Sequence, residues 1–135
     1  MNTHPPVFVV DDEEVVRTSL ARLLRALGVP SQTFASAEAF LAGLADLRHA
    51  ADGCLLVDIR MPGMNGIDLL EELARRQIAL PAIVMTGHTD ETSVRRLEML
   101  QTIGVLEKPF SVAQLKAMLG RWRSSRPSPG EGQGA

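Results

Sequence analysis

Asp58 closes an apolar run, Leu55-Leu56-Val57, and a loop containing Pro62-Gly63 follows at once. In parallel sheets the reactive groups sit just past the carboxyl ends of the strands, so a carboxylate placed there can leave the core and meet solvent. Other apolar runs end in the same manner. Val7 to Val10 leads into Asp11 and Asp12, Ala82 to Met85 into Thr86, and Ile103 to Leu106 into Glu107 and Lys108. Gathered on one rim, these groups suit phosphoryl transfer to a carboxylate. Asp58 would attack in line, Thr86 offers a hydroxyl donor, and Lys108 is a fixed cation able to pair with Asp58 and then with phosphate. Asp11, Asp12 and Asp58 cannot crowd together at neutral pH without raising at least one pKa. A divalent cation removes that conflict, and an all-oxygen donor set favours Mg²⁺ over Zn²⁺. Backbone N–H groups after Asp58 and around Gly87 would help to cradle an oxyanion.

These residues need a sheet to hold them. Short apolar runs bounded by turn signals read as buried parallel strands, here at 7–10, 54–57, 82–85 and 103–107, and Gln32-Thr33-Phe34 reads as a short strand near an edge. Helical stripes lie between them. Val16, Leu20, Leu23, Leu24 and Leu27 form the first, stopped by Gly28 and Pro30. Ser36 caps the second, which carries Ala37, Phe40, Leu41 and Leu44. The third runs over about 67–76 with Ile67, Leu70 and Leu73, after a loop whose Asn65-Gly66 reads as a turn dipeptide. The fourth starts near Asp90 with Val94, Leu97 and Leu100. Ser111 and Gln114 make a capping box for the last, with Val112, Leu115, Met118, Leu119 and Trp122 on its apolar face. Strict alternation with short loops predicts right-handed crossovers. The expected fold class is therefore α/β, a flavodoxin-like (βα)5 doubly wound parallel sheet with strand order 2-1-3-4-5. Strands one and three are neighbours in that order. Asp11, Asp12 and Asp58 then share one crevice, lined on its other side by Thr86 and Lys108.

Composition narrows the function classes. A chain of 135 residues, 45% hydrophobic, fits one domain with one core. A net charge of -2 gives no reason to expect nucleic-acid binding by charge alone. The single cysteine, Cys54, reads as a small core residue and suits a reducing compartment. No signal peptide is visible and no apolar run approaches the ~18 residues of a membrane span, so the cytoplasm is expected. His4 and His49 read as surface residues, and Arg95 and Arg96 as a solvated helix face. Residues 1–123 are expected to form the domain. Residues 124–135, rich in Ser, Pro and Gly, read as a flexible tail or linker stub. No G-x-x-x-x-G-K-[ST] motif is present, so the phosphoryl donor should arrive already activated on another molecule.

Together and in this order, Asp11-Asp12, Asp58 within Asp-Ile-Arg-Met-Pro-Gly-Met-Asn-Gly, Thr86-Gly87 and Lys108-Pro109-Phe110 resemble a bacterial two-component response-regulator receiver domain over roughly residues 6–122. Thr86-Gly87-His88 and Glu107-Lys108-Pro109-Phe110 resemble its FixJ-like branch, whose members usually carry a C-terminal DNA-binding helix-turn-helix. The resemblance implies that Asp58 accepts phosphate from a sensor histidine kinase or phosphotransfer protein. It implies Mg²⁺ bound directly by Asp12, Asp58 and the backbone carbonyl of Arg60, and through water by Asp11. Thr86 and Lys108 would contact the phosphate, and the Lys108–Pro109 bond would be cis. Control would pass to an output domain or target protein, with a phosphorylation-dependent homodimer formed through helix four, strand five and helix five.

Two departures from the family pattern bear on signalling. Val105 stands where an aromatic residue often swings inward on activation, and Leu100-Gln101-Thr102-Ile103 replaces a small-residue turn. The signal is then expected to pass through Thr86 and the following loop to helix four. Arg60 and His88, two residues after Asp58 and Thr86, stand where side chains tune access of water. A Mg²⁺ phosphohydrolase with an Asp nucleophile is the alternative enzyme reading. Its haloacid-dehalogenase-like version wants a second Asp where this chain has Arg60. A non-phosphorylated interaction module is the other alternative. No helix-turn-helix follows Trp122, so this chain alone is not expected to bind DNA.

Overall fold

Successive residues of a strand face opposite sides of the sheet, and here both sides are apolar. Phe8, Val10, Leu55, Val57, Ala82 and Val84 belong to one core. Val7, Val9, Cys54, Leu56, Ile83 and Met85 belong to the other. A sheet apolar on both faces must be covered on both, which a parallel βα succession achieves. In the computed structural model, residues 5–46, 52–87, 91–100 and 102–125 are described, without the side chains of 46, 91, 92 and 94. The elements are β1 (Val7–Val10), α1 (Glu14–Ala26), β2 (Ser31–Phe34), α2 (Ala37–Gly43) with a 3₁₀ turn at Leu44–Asp46, β3 (Cys54–Asp58), α3 (Gly66–Arg75), β4 (Ala82–Thr86), α4 (Glu91–Leu100), β5 (Gly104–Glu107) and α5 (Val112–Ser125). The strands form one sheet in the order β2-β1-β3-β4-β5, and every pairing is parallel. The expected fold class and strand order are both found.

Helices α2, α3 and α4 cover the first face through Phe40, Ile67, Leu69, Leu70, Leu73 and Leu97. Helices α1 and α5 cover the second through Leu20, Leu24, Leu115, Leu119 and Trp122. Each large apolar side chain so buried contributes about 1.5–3 kcal/mol. Two such layers can carry the cost of a few buried polar groups at one edge. Among the described residues the buried polar or charged ones are Asp11, Asp58 and Thr86. All three lie at the carboxyl ends of strands.

Local signals explain most boundaries. Ser36 Oγ accepts from the Ala39 N–H at 2.9 Å. Ser111 and Gln114 cap α5 reciprocally, at 2.8 and 3.1 Å. Gly28 takes a φ of +78° just past α1, a conformation that favours glycine. The expected third helix begins one residue early, at Gly66. Asn65 is its cap, not the first half of a turn: its side chain accepts from the Asp68 N–H while Asp68 accepts from the Asn65 N–H. Strand β5 starts at Gly104. Helix α5 continues to Ser125, two residues past the boundary expected at 123, and Ser125 Oγ donates to the Trp122 carbonyl at 2.9 Å. His4, His49, His88, Thr89, Asp90, Gln101 and residues 126–135 fall outside the described residues.

Candidate functional site

Register and side-chain parity assemble the site. Val10 pairs with Val57, so the next residues, Asp11 and Asp58, leave adjacent strands side by side. Asp58 pairs with Met85, and Met85 with Leu106. Lys108 lies two residues beyond Leu106, just past the end of β5, and its long side chain reaches the carboxylates at the sheet edge. Its Nζ donates to Asp58 Oδ2 at 2.9 Å and to Asp11 Oδ2 at 3.1 Å. The Lys108 N–H donates to the Thr86 carbonyl at 2.7 Å, which fixes the start of the turn. The Lys108–Pro109 peptide is cis. Asp11, Asp58, Thr86 and Lys108 are thus brought to one rim, and Asp12 stands exposed at its mouth.

The second oxygens of the buried carboxylates are also held. Asp58 Oδ1 accepts from the Arg60 N–H at 3.1 Å. Asp11 Oδ1 accepts from the Glu13 N–H at 2.9 Å, at the start of α1. Arg17, one turn along α1, donates to the Asp11 carbonyl at 2.8 Å. Burial is the main force on Asp58 and pushes its pKa up, and the charge of Asp11 pushes the same way. The hydrogen bonds from Lys108 and Arg60 pull it down without reversing the shift. For Lys108, burial works against the charged form, but the bonds to Asp58 and Asp11 prevail and hold its pKa above the ordinary value. Lys108 is therefore a firm ammonium facing an Asp58 carboxyl whose burial the available positive charge does not fully offset.

That deficit is the test of fit for a metal. Asp11, Asp12 and Asp58 each offer a carboxylate oxygen, all within 4.8 Å of one another. One ammonium serves two of the three, while Asp12 opens to solvent. Hard oxygen donors with an open side suit a partly hydrated Mg²⁺. Burial pushes the Cys54 thiol up to about 12, which leaves it a core residue without a role here. A groove of about 670 Å³ lies at the other edge of the sheet, among Leu73, Ile78, Pro81, Leu100 and Ile103, with no ionisable side chain among the described residues that line it.

Several supporting residues were not visible as such in the sequence. Arg17 and Glu13 anchor Asp11 through backbone groups, which no motif announces. Glu38 of α2 accepts from the Met64 N–H at 3.1 Å, across 26 residues. Asn65-x-x-Asp68 did carry a signal, since a capping box needs an acceptor three residues on. Arg95 is exposed, as expected of a solvated helix face, and the partly exposed Arg96 also donates to Glu71 and Asp68, at 2.7 and 3.0 Å, which ties α4 to α3. Val105 is 38% exposed on β5.

Comparison with known proteins gives the constellation its family. Residues 7–120 match the family described as the response regulator receiver domain. The chain belongs to the response regulator receiver domain family. The transcriptional regulatory protein FixJ of Azorhizobium caulinodans is 42% identical over 120 residues, covering 86% of this chain and 56% of that protein. The DNA-binding transcriptional regulator NtrC of Salmonella typhimurium is 36% identical over 115 residues, covering 85% and 24%. A crystal structure of FixJ-N superposes with a TM-score of 0.82 at 37% identity, covering 95% of this chain and 99% of that one. Full-length FixJ from B. japonicum gives 0.81 at 37% identity, covering 93% and 61%. This receiver domain spans about half the length of the FixJ proteins it matches. Its function is that of a phosphoacceptor module in two-component signalling, and the phosphohydrolase and passive-module alternatives gain no support. Receiver domains bind Mg²⁺ at an acidic pocket, and the carboxylate cluster here has the chemistry for it. No helix among the described residues is long and apolar enough to cross a membrane.

Proposed function

We propose that Asp58 is the phosphoacceptor and that a sensor histidine kinase, or a phosphotransfer protein, supplies the phosphoryl group from a phosphohistidine. A carboxylate oxygen of Asp58 forms the new bond to phosphorus as the bond to the imidazole nitrogen breaks, and the imidazole departs with the electron pair. Lys108 offsets charge on the equatorial oxygens, and the Thr86 hydroxyl donates to one of them. Asp12, Asp58 and the Arg60 carbonyl would hold Mg²⁺ directly, and Asp11 through water. When bound, the ion neutralises the crowded carboxylates and the incoming phosphate oxygens. Asp11 has a further role in this reading, since it shares Lys108 with Asp58 and keeps the ammonium in place.

The observation that carries the reading is the placement of Lys108 between Asp11 and Asp58, with Asp12 exposed beside them. Phosphorylation would draw Thr86 toward the new anion and shift the loop into α4, without an aromatic rotamer change because position 105 is Val. An output domain, a separate target or a phosphorylation-dependent homodimer through α4, β5 and α5 would read the change. The chain acts in the cytoplasm, as a signalling switch and not a turnover enzyme. Intact mass after incubation with acetyl phosphate and Mg²⁺ tests the proposal. One added phosphoryl group is expected, absent with chelator or in Asp58→Asn; no adduct on the unaltered chain under any donor and Mg²⁺ concentration overturns it.

A further inference from the structure

We propose that Glu38, on α2, is a positioning residue for the phosphoacceptor site: it sets the loop between β3 and α3 that carries Arg60. This rests on the reading above, in which the Arg60 carbonyl is a metal ligand. The loop from Ile59 to Asn65 has to hold Arg60 at two atoms. The Arg60 N–H donates to Asp58 Oδ1, and its carbonyl would face the cation. The loop's near end is fixed by the sheet, through the Ile59 N–H and the Met85 carbonyl at 2.9 Å. Its far end is fixed by the Gly66 N–H and the Ile59 carbonyl at 3.0 Å. Between these clamps, two consecutive amides project from the loop, and each meets a carboxylate. Met64 donates to Glu38 Oε2 and Asn65 donates to Asp68 Oδ2, both at 3.1 Å. Asp68 belongs to the adjoining helix and caps it. Glu38 comes from a different helix, 26 residues away, and so relates the loop to the body of the domain.

Gly63 is what lets the Glu38 carboxylate reach the loop. Its φ is +75°, which favours glycine. A Cβ there would lie 2.9 Å from Glu38 Oε2. A side chain at 63 would therefore displace the carboxylate from the loop, because the carboxylate end of Glu38 is the part free to yield. The bare glycine leaves room for the Glu38 carboxylate to approach the loop. Glu38 itself is exposed, so water replaces it readily as an acceptor for Met64 and little stability depends on it. Its effect falls on the loop's position, and outer partners of metal ligands typically alter affinity by about 10–100-fold. Glu38 acts one loop further out, so a rise of about 3–10-fold in the Mg²⁺ half-saturation concentration is expected.

The test uses amide NMR of the whole chain, with Glu38→Ala and Glu38→Gln. Glutamine keeps an acceptor oxygen and loses the charge. Met64 amide exchange should be slower in the unaltered chain and in Glu38→Gln than in Glu38→Ala. Mg²⁺ titration should give half-saturation raised by about 3–10-fold in Glu38→Ala and restored in Glu38→Gln, with melting temperatures nearly equal. Equal half-saturation in all three chains overturns the proposal, as does Glu38→Gln failing like Glu38→Ala, which would mean that charge and not the hydrogen bond matters. An unaltered chain whose Arg60 signals ignore Mg²⁺ would instead overturn the metal-ligand reading, while the Met64 exchange still reports whether Glu38 holds the loop.

Discussion

Lys108 Nζ lies 2.9 Å from Asp58 Oδ2, across 50 residues of sequence, and reaches Asp11 with another of its protons. Removing it leaves two buried carboxylates facing each other. Taking one partner from a buried pair costs about 3–5 kcal/mol when fully desolvated. The Lys108 side chain is 24% exposed, so about 2 kcal/mol is expected for Lys108→Ala in the metal-free domain. Phosphorylation by acetyl phosphate should slow by about 100-fold, since the lost ammonium stabilises charge in the transition state. Denaturant melts and the rate of mass gain check the two effects separately.

Asp58 itself should be a stability burden without metal. Its folded pKa is raised, chiefly by burial. A raised carboxyl pKa contributes stability that is full below the unfolded value, about 3.9, and is lost as pH rises through the folded value. Asp58→Asn removes that loss. In chelator at pH 7 the variant should melt above the unaltered domain, and the gap should close as pH falls toward 3. Mg²⁺ should stabilise the unaltered domain more than the variant, because it binds the folded state. A variant that melts lower at pH 7 in chelator would contradict this account of Asp58.

Gly66 is demanded by the path of a neighbouring backbone. Its φ is unexceptional, but a Cβ there would lie 2.4 Å from the Asp58 carbonyl oxygen and 3.1 Å from Ile59 Cα. These are backbone atoms and cannot step aside. Gly66→Ala should therefore push α3 away from the end of β3, at about 1–3 kcal/mol and about 5–10 °C in Tm. A melt within a degree or two of the unaltered domain would show that the helix start has slack.

Asp68 works in the opposite direction to Asp58. Its hydrogen bond from the Asn65 N–H, with help from Arg96, holds its pKa below the ordinary value. Its contribution is present above the unfolded pKa of about 3.9 and fades as pH falls through the folded value. The side chain is 41% exposed, so screening keeps the effect under about 1 kcal/mol. Asp68→Ala should destabilise at pH 7, less at pH 3, and less again at high salt. Melts across that grid check it.

How much of this was legible in the sequence follows from which signals are local. The strands show as apolar runs because a doubly covered parallel sheet buries both faces, and the residues that end those runs mark the rim. Asp58, Thr86 and Lys108 were therefore readable before any coordinates. The capping of α5 by Ser111 and Gln114 was also readable, as a short-range exchange. Gly66 was misread: Asn65-Gly66 has the composition of a turn, and only the passing Asp58 carbonyl shows why a side chain is excluded. The tie from Arg96 to α3 was hidden because its carboxylate partners sit on another helix. The bond from Lys108 to Asp11 was not legible, because it depends on how far an ammonium reaches over the sheet edge.

The central claim is chemical: one carboxylate, that of Asp58, takes the phosphoryl group. The most direct measurement is to load the chain with acetyl phosphate and Mg²⁺, reduce the acyl phosphate with borohydride, and map the reduced residue by peptide mass spectrometry. The account predicts reduction at Asp58 alone, converting it to homoserine, with Asp11 and Asp12 unchanged. Reduction at Asp11 or Asp12, or a phosphoryl group that survives borohydride on a hydroxyl or imidazole elsewhere, would contradict it.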